Sequence, residues 1–242
     1  MSGRGIFTTI AIRDGEPFLW EKHWLRLTSA GEKLQIDLSE FSRPSVKAAL
    51  TRTLESNALR NGRAKITLND ERQNGLWPSS RIQAANTSLD IVAGPSRELP
   101  DSFRIGISTF PVNSRSPLAG LKTTNYLEPT LCFEAAKTAG FDEAIRLNEN
   151  GHVTSACFAN VFWLKDGEVF TPELSTGCLA GTTREFIIES LDVREIRAEI
   201  GELCDADAIF LTSAGIGIVQ AASLAEAALT PIHHPILDLI KR

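Results

Sequence analysis

The chain has 242 residues, 43% apolar and 23% charged, with 25 Lys and Arg against 30 Asp and Glu for a formal charge of −5. That balance excludes wholesale disorder and makes a nucleic-acid backbone or an anionic bilayer a poor partner. A chain of this length buries a core that needs neither disulfide nor metal to hold it. Residues 5–12 (GIFTTIAI) are rich in β-branched side chains and predict a strand, and Asp14-Gly15 marks a hairpin turn into PFLW. From Glu21 to Leu34 the spacing turns helical, with Trp24, Leu27 and Gly31 on related faces. A second helix is expected from near Ser42, with Pro44 in its first turn, to Asn61-Gly62, and Val46, Ala49, Leu50, Leu54 and Ala58 keep the helical period. Strands through 64–68 (AKITL), 89–93 (LDIVA) and 104–109 (RIGIST) complete a first α/β domain, 1–112. The Ser, Asn and Pro content of 113–117 (NSRSP) predicts an interdomain linker over 113–118.

The second domain, 119–242, opens with a helix from Glu128 to Ala139, closed by Gly140. Short strands follow at 143–147 (EAIRL), 152–154 (HVT), 159–164 (ANVFWL) and 168–172 (EVFTP), separated by turn signals at 148–151 and 165–167. Thr183 to Leu191 is helical, 193–200 (VREIRAEI) and 208–212 (AIFLT) are strands, and a last helix covers Pro235 to Lys241. The long uncharged run from Ala208 to Ala225 contains Thr212, Ser213, Gln220 and Ser223, so it fits a buried strand and turn better than a membrane span. Strands and helices without strict alternation imply an α+β fold. The four cysteines form no CxxC pair and the N-terminus shows no secretory pattern. Free thiols in a reducing, cytoplasmic setting follow.

Motifs for a P-loop, a nucleophile elbow or a zinc helix are absent, and the four histidines lack metal-ligand spacing, so no metal is expected. Gly181-Thr182-Thr183 stands at the expected start of a helix, where backbone N–H groups and the positive dipole end favour an anion. Arg26, in His23-x-x-Arg26-Leu27, offers a guanidinium that can fork onto phosphate. Lys122 lies in the apolar, glycine-containing approach LAGLKTTNY, where desolvation would lower its pKa toward that of an imine-forming amine. Each feature alone is ordinary: a helix cap, a solvated arginine, a surface lysine.

Taken together, Lys122 with Asn125-Tyr126, then GHVTSACFANVF (151–162), TPELSTGCLAGTTR (171–184) and TSAGIGIV (212–219), resemble the class IV aminotransferases. GIFTTIAI and the His23–Leu27 motif extend the resemblance over nearly the whole chain. These are fold-type IV enzymes of pyridoxal 5'-phosphate (PLP), and include branched-chain and D-amino-acid aminotransferases and aminodeoxychorismate lyase. The resemblance implies a small α/β N-terminal domain, a larger pseudo-barrel-like C-terminal domain and a homodimer. It gives Lys122 the Schiff base to PLP and proton transfer at the substrate's α-carbon. It gives Arg26, Thr182 and Thr183 the cofactor's phosphate, Leu179 the pyridine face, and Tyr126 a place toward the phenolic oxygen. The phosphate hydroxyl of the family aligns with Ala214, and Ser213 supplies it if the register shifts by one residue. Ser155 stands where the family motif has a glutamate that pairs with the protonated pyridine nitrogen. The implied activity is amino-group transfer between an amino acid and a 2-oxo acid. The alternatives are the pyruvate-eliminating lyase of 4-aminobenzoate formation and a catalytically impaired PLP-binding relative.

Overall fold

A computed structural model of the chain describes residues 4–71 and 86–240. They form two compact units: residues 1–97 with 121–126, and residues 98–120 with 127–242. The first unit is built on β1 (Gly5–Arg13), β2 (Glu16–Pro17), β3 (Gly62–Asp70) and β4 (Thr87–Gly94), an antiparallel sheet in the order β2-β1-β3-β4. Asp14 and Gly15 turn the first hairpin with φ of 50° and 87°, as the Asp-Gly pair predicts. Two helices supply the rest of this core: α1 (Trp20–Leu34) and α2 (Arg43–Ser56) bury Leu27, Val46, Leu50 and Leu54 with Ile6, Ile10, Ile12, Ile66 and Leu68. Ser42 caps α2 in a reciprocal box with Ser45, and Pro44 occupies its first turn. The helix stops at Ser56 and does not continue to Asn61-Gly62. The Asn57 side chain donates to the Thr53 carbonyl at 2.7 Å, and Ala58 takes a left-handed φ of 48°, so the helix is closed before the glycine arrives.

Residues 121–126 join this unit although they are distant in sequence. The Phe7 amide donates to the Lys122 carbonyl at 3.0 Å, the Thr124 amide to the Gly5 carbonyl at 2.9 Å, and Ile6 bridges Thr123. These contacts hold the backbone of Lys122 against the start of β1.

The second unit contains β5 (Arg104–Ile107), α3 (Leu127–Thr138), β6 (Glu143–Leu147), β7 (Val153–Ala156), β8 (Asn160–Lys165) and β9 (Glu168–Pro172). It continues with α4 (Thr182–Ser190), β10 (Val193–Ile196), α5 (Ile200–Cys204), β11 (Ala208–Ser213), β12 (Gly217–Gln220), β13 (Ser223–Leu224) and β14 (Ala227–Ala228). Its described residues form two five-stranded sheets, β10-β9-β8-β11-β12 and β14-β13-β5-β6-β7, with a core of Phe103, Ile105, Ile145, Val161, Trp163, Ile209 and Leu211. The α+β class is thus the one the sequence implies. The 113–118 stretch lies within this unit.

Two further elements differ from expectation. The first four residues of 193–200 pair in parallel with β9, Glu199 makes an isolated antiparallel bridge to His152, and from Ile200 the chain turns into α5. The C-terminal segment is a short 3-10 helix, Pro235–Asp238, in place of a longer α-helix, and Lys241 lies outside the described residues. Among the described residues no helix is long and apolar enough to cross a membrane, and no cluster of three or more His, Cys, Asp or Glu suits a metal.

Candidate active site

In the first unit, the Lys122 Nζ donates to the Tyr126 hydroxyl at 3.0 Å and lies 4.6 Å from the ring centroids of both Phe7 and Tyr126. The two rings meet edge-to-face, 5.0 Å apart at 87°. Lys65 Nζ sits 4.4 Å from the same Phe7 ring. Burial, reinforced by the Arg26 and Lys65 cations, lowers the Lys122 pKa to about 7. A large share of the amine is therefore uncharged near neutral pH, as a nucleophile toward a carbonyl requires.

Arg26 is fixed by a relay that begins on the strand. Thr8 interrupts the apolar core-facing series Ile6, Ile10 and Ile12 with a hydroxyl that is fully buried. Its oxygen accepts from Arg26 Nη2 at 2.5 Å and lies 2.6 Å from His23 Nδ1. His23 is 1% exposed, and burial, with the Arg26 and Lys122 cations adding to it, holds its pKa well below the ordinary value. The neutral ring is joined to the Thr8 hydroxyl through Nδ1. His23 thus orients the hydroxyl that orients Arg26.

In the second unit, the N-cap of α4 is Gly181, which has no side chain, and Thr182 and Thr183 in the first turn are each 3% exposed. The approach to it is tightly built. Asn160 Nδ2 donates to the Leu179 carbonyl at 2.8 Å, and a Cβ at Gly181 would lie 2.0 Å from Asn160 Oδ1, so any side chain there must displace the Asn160 amide. Thr212 pairs with Asn160 across β11 and β8, which brings the end of β11 to the same strand that holds the 179–181 turn. Ser213 Oγ accepts from the Gly215 amide at 3.3 Å, within the turn that contains Ala214.

Ser155 lies on β7, directly across from Arg146 of β6. Beside it, Glu143 is 3% exposed and accepts from the Ala144, Cys157 and Phe158 amides at 3.3, 2.9 and 3.1 Å. Burial pushes its carboxyl up to about 7 despite those bonds. Glu143 therefore shapes the turn that follows Ser155. The structure keeps Lys122, Arg26 and Tyr126 in the first unit, and Ser155, Leu179, Thr182, Thr183 and Ser213 in the second. Thr8, Glu143, Arg146 and Asn160 were not singled out from sequence. The available signal was a charged residue at each of two positions in the otherwise apolar strand EAIRL.

Comparison with known proteins identifies the family. The family model for amino-transferase class IV matches residues 5–224. The chain is 28% identical over 236 residues to the aminodeoxychorismate lyase of Bacillus subtilis (strain 168), covering 93% of this chain and 78% of that protein. The crystal structure of 4-amino-4-deoxychorismate lyase from Pseudomonas aeruginosa superposes with a TM-score of 0.83 at 25% identity, covering 98% of this chain and 89% of that one. At 23% identity the branched-chain aminotransferase of the thermophilic archaeon Thermoproteus uzoniensis, solved with norvaline, has the same fold, with a TM-score of 0.85 and coverage of 98% and 83%. The chain belongs to the class IV aminotransferase family, whose members are aminotransferases and lyases.

Proposed function

We propose that the protein is a PLP-dependent enzyme that transfers an amino group between an amino acid and a 2-oxo acid, with Lys122 as the amine that bonds to the cofactor's aldehyde. The observation that carries this reading is the Lys122 amine itself, held between two aromatic rings with its pKa lowered to about 7. The donor set fits a phosphorylated aldehyde. A nucleophilic amine, an oriented guanidinium and the start of α4 at Gly181-Thr182 are its chemical complements. When bound, the cofactor supplies an electron-withdrawing ring that labilises bonds at the substrate's α-carbon.

Each unit's residues would act in their own way. Lys122 would hold the cofactor through its aldehyde and move the proton at the substrate's α-carbon, which its near-neutral pKa suits. The Tyr126 hydroxyl, at 3.0 Å, aims that amine. Arg26 binds phosphate from its relay to Thr8 and His23. Thr182 and Thr183 offer backbone and hydroxyl donors to the same chemical group at the start of α4, and Leu179 packs on the ring. Ser213 is the hydroxyl candidate on β11. In the homodimer that the family resemblance implies, substrate side chains would contact a second copy of this chain.

A second reading, elimination of pyruvate from aminodeoxychorismate, is favoured by Ser155, which puts no carboxylate at the position where the family motif has one. One experiment addresses both. The purified protein is loaded with PLP, treated with borohydride and mapped by peptide mass; in parallel it is assayed for pyruvate release from aminodeoxychorismate and against an amino-donor panel with 2-oxoglutarate and pyruvate. A reduced cofactor on Lys122 with donor turnover supports amino transfer, and pyruvate release without donor turnover supports the lyase. No adduct on Lys122 would overturn both readings.

A further inference from the structure

Arg146 is a cation in a place that needs an explanation. It sits in β6 between Ile145 and Leu147, is 5% exposed, and pairs in register with Ser155 of β7. Side chains of such a cross-strand pair share one face of the sheet, with Cβ atoms about 4.5–5.5 Å apart. The guanidinium donates through Nη2 to Glu128 at the start of α3, whose side chain is 65% exposed. Its Nε is buried and finds no acceptor among the described residues. A buried N–H left without a partner is strongly disfavoured, and one beside a candidate cofactor position is explained if the loaded protein supplies the acceptor.

The chemistry limits what that acceptor is. A guanidinium only donates and does not lose its proton in a protein. The family position that would hold a carboxylate, an acceptor for a ring N–H, holds Ser155 here, and the residue facing it is Arg146. The charge beside this position is thereby reversed. A protonated pyridine would set N–H against N–H and cation against cation, whereas an unprotonated pyridine nitrogen offers a lone pair. Glu128 does not restore the acid: its carboxylate is already engaged by Nη2 and stands largely in solvent. Glu143, the carboxylate on β6 itself, is engaged by three backbone amides.

We infer that Arg146, across from Ser155, holds the ring nitrogen of the bound cofactor unprotonated by serving as its hydrogen-bond donor. This deepens the proposed PLP reading and rests on it. Arg146 is then the residue that sets how much negative charge the ring withdraws from the α-carbon. A neutral ring withdraws less, so reactions in which a leaving group departs with the electrons gain relative to amino transfer.

The test reads the ring directly. The enzyme is loaded with PLP labelled with nitrogen-15 in the ring, and the nitrogen chemical shift is followed across neutral pH in wild type, Arg146→Leu, Arg146→Lys and Ser155→Glu/Arg146→Leu. Wild type should show an unprotonated nitrogen throughout. Arg146→Leu should raise the titration midpoint by a pH unit or more, a tenfold gain in proton affinity. Arg146→Lys should stay low, and the double variant should be protonated. A protonated nitrogen in wild type would overturn the inference without any variant having to fold, as would a midpoint that Arg146→Leu leaves in place. A protein that takes up no labelled cofactor would overturn the PLP reading along with it, so the two failures are distinct.

Discussion

At the scale of single residues, the chemistry centres on two cations whose surroundings do opposite things. Lys122 is pushed toward its neutral form by burial and by Arg26 and Lys65, while Arg26 keeps its charge and is aimed by Thr8 and His23. The reactivity of Lys122 toward an amine reagent, followed by peptide mass as a function of pH, should rise through a midpoint near 7 in the protein without cofactor. Replacing Lys65 by Met removes a neighbouring cation and should move that midpoint up by roughly half a unit. An unchanged midpoint would mean that burial and Arg26 set the value without Lys65. Arg26→Ala should weaken PLP retention by roughly ten- to a hundredfold, the worth of a charge-assisted contact of about 1.5–3 kcal/mol. Dialysis of the loaded protein against buffer, followed by cofactor absorbance, gives the comparison. The candidate residues themselves were legible in the sequence, because each is a residue type with few alternatives for its task. Their tuning was not, because Phe7, Lys65 and Thr8 reach Lys122 and Arg26 only through the pairing of β1 with distant chain.

At the scale of elements, turn and cap chemistry decides where helices begin and end. Ser42 and Pro44 announce the start of α2 in the sequence, and the reciprocal Ser42–Ser45 bonds realise it. Ser42→Ala should cost about 1 kcal/mol, a drop of roughly 2–4 °C in the midpoint of thermal unfolding followed by circular dichroism. The helix end was misplaced because an Asn-Gly pair is a strong stop, yet Asn57 supplies an earlier one through its bond to Thr53. At α4 the start is set by fit as well as by capping. Gly181→Ala would drive a methyl group into Asn160 and displace its bond to the Leu179 carbonyl. Expected are a loss of about 1–3 kcal/mol in urea unfolding and weaker phosphate binding by calorimetry. Retention of both would show that the 179–181 turn relaxes freely.

At the scale of the whole molecule, two buried titratable groups impose opposite pH trends on the two units. His23 in the first unit is held neutral, with its folded pKa below the ordinary 6.5. The unfolded chain therefore takes up a proton first as pH falls. The stability contributed is complete above about 6.5 and declines below it, by up to about 1.4 kcal/mol per pH unit, until the folded pKa is reached. Glu143 in the second unit has its folded pKa raised from 4.5 to about 7, so the folded state is the better proton acceptor. Its contribution is complete below about 4.5 and is lost as pH rises through 7. Pulse proteolysis in urea with mapped fragments should show the first unit weakening from pH 7 to 5 while the second strengthens. In His23→Asn, which keeps a hydrogen-bonding group for the Thr8 hydroxyl, the acid loss of the first unit should flatten.

Read alone, the sequence determined the order and type of most elements, the α+β class, the family and a set of candidate site residues. Those depend on local periodicity, on turn residues and on motif order, all of which are written along the chain. What only the tertiary structure decided is which distant segments pair. Residues 121–126 belong with β1 because backbone groups of Gly5–Phe7 and Lys122–Thr124 satisfy one another, a pairing that no local pattern encodes. Residues 193–200 read as one strand, yet β9 pairs with the first four only and the chain enters α5 at Ile200. The cross-strand register likewise sets Arg146 opposite Ser155, nine positions apart along the chain, as the pairing of β6 with β7 requires. Charge and residue type were visible from the start; the neighbours that give each charge its meaning come from hydrogen-bonded pairing and burial, and these exist only in the folded chain.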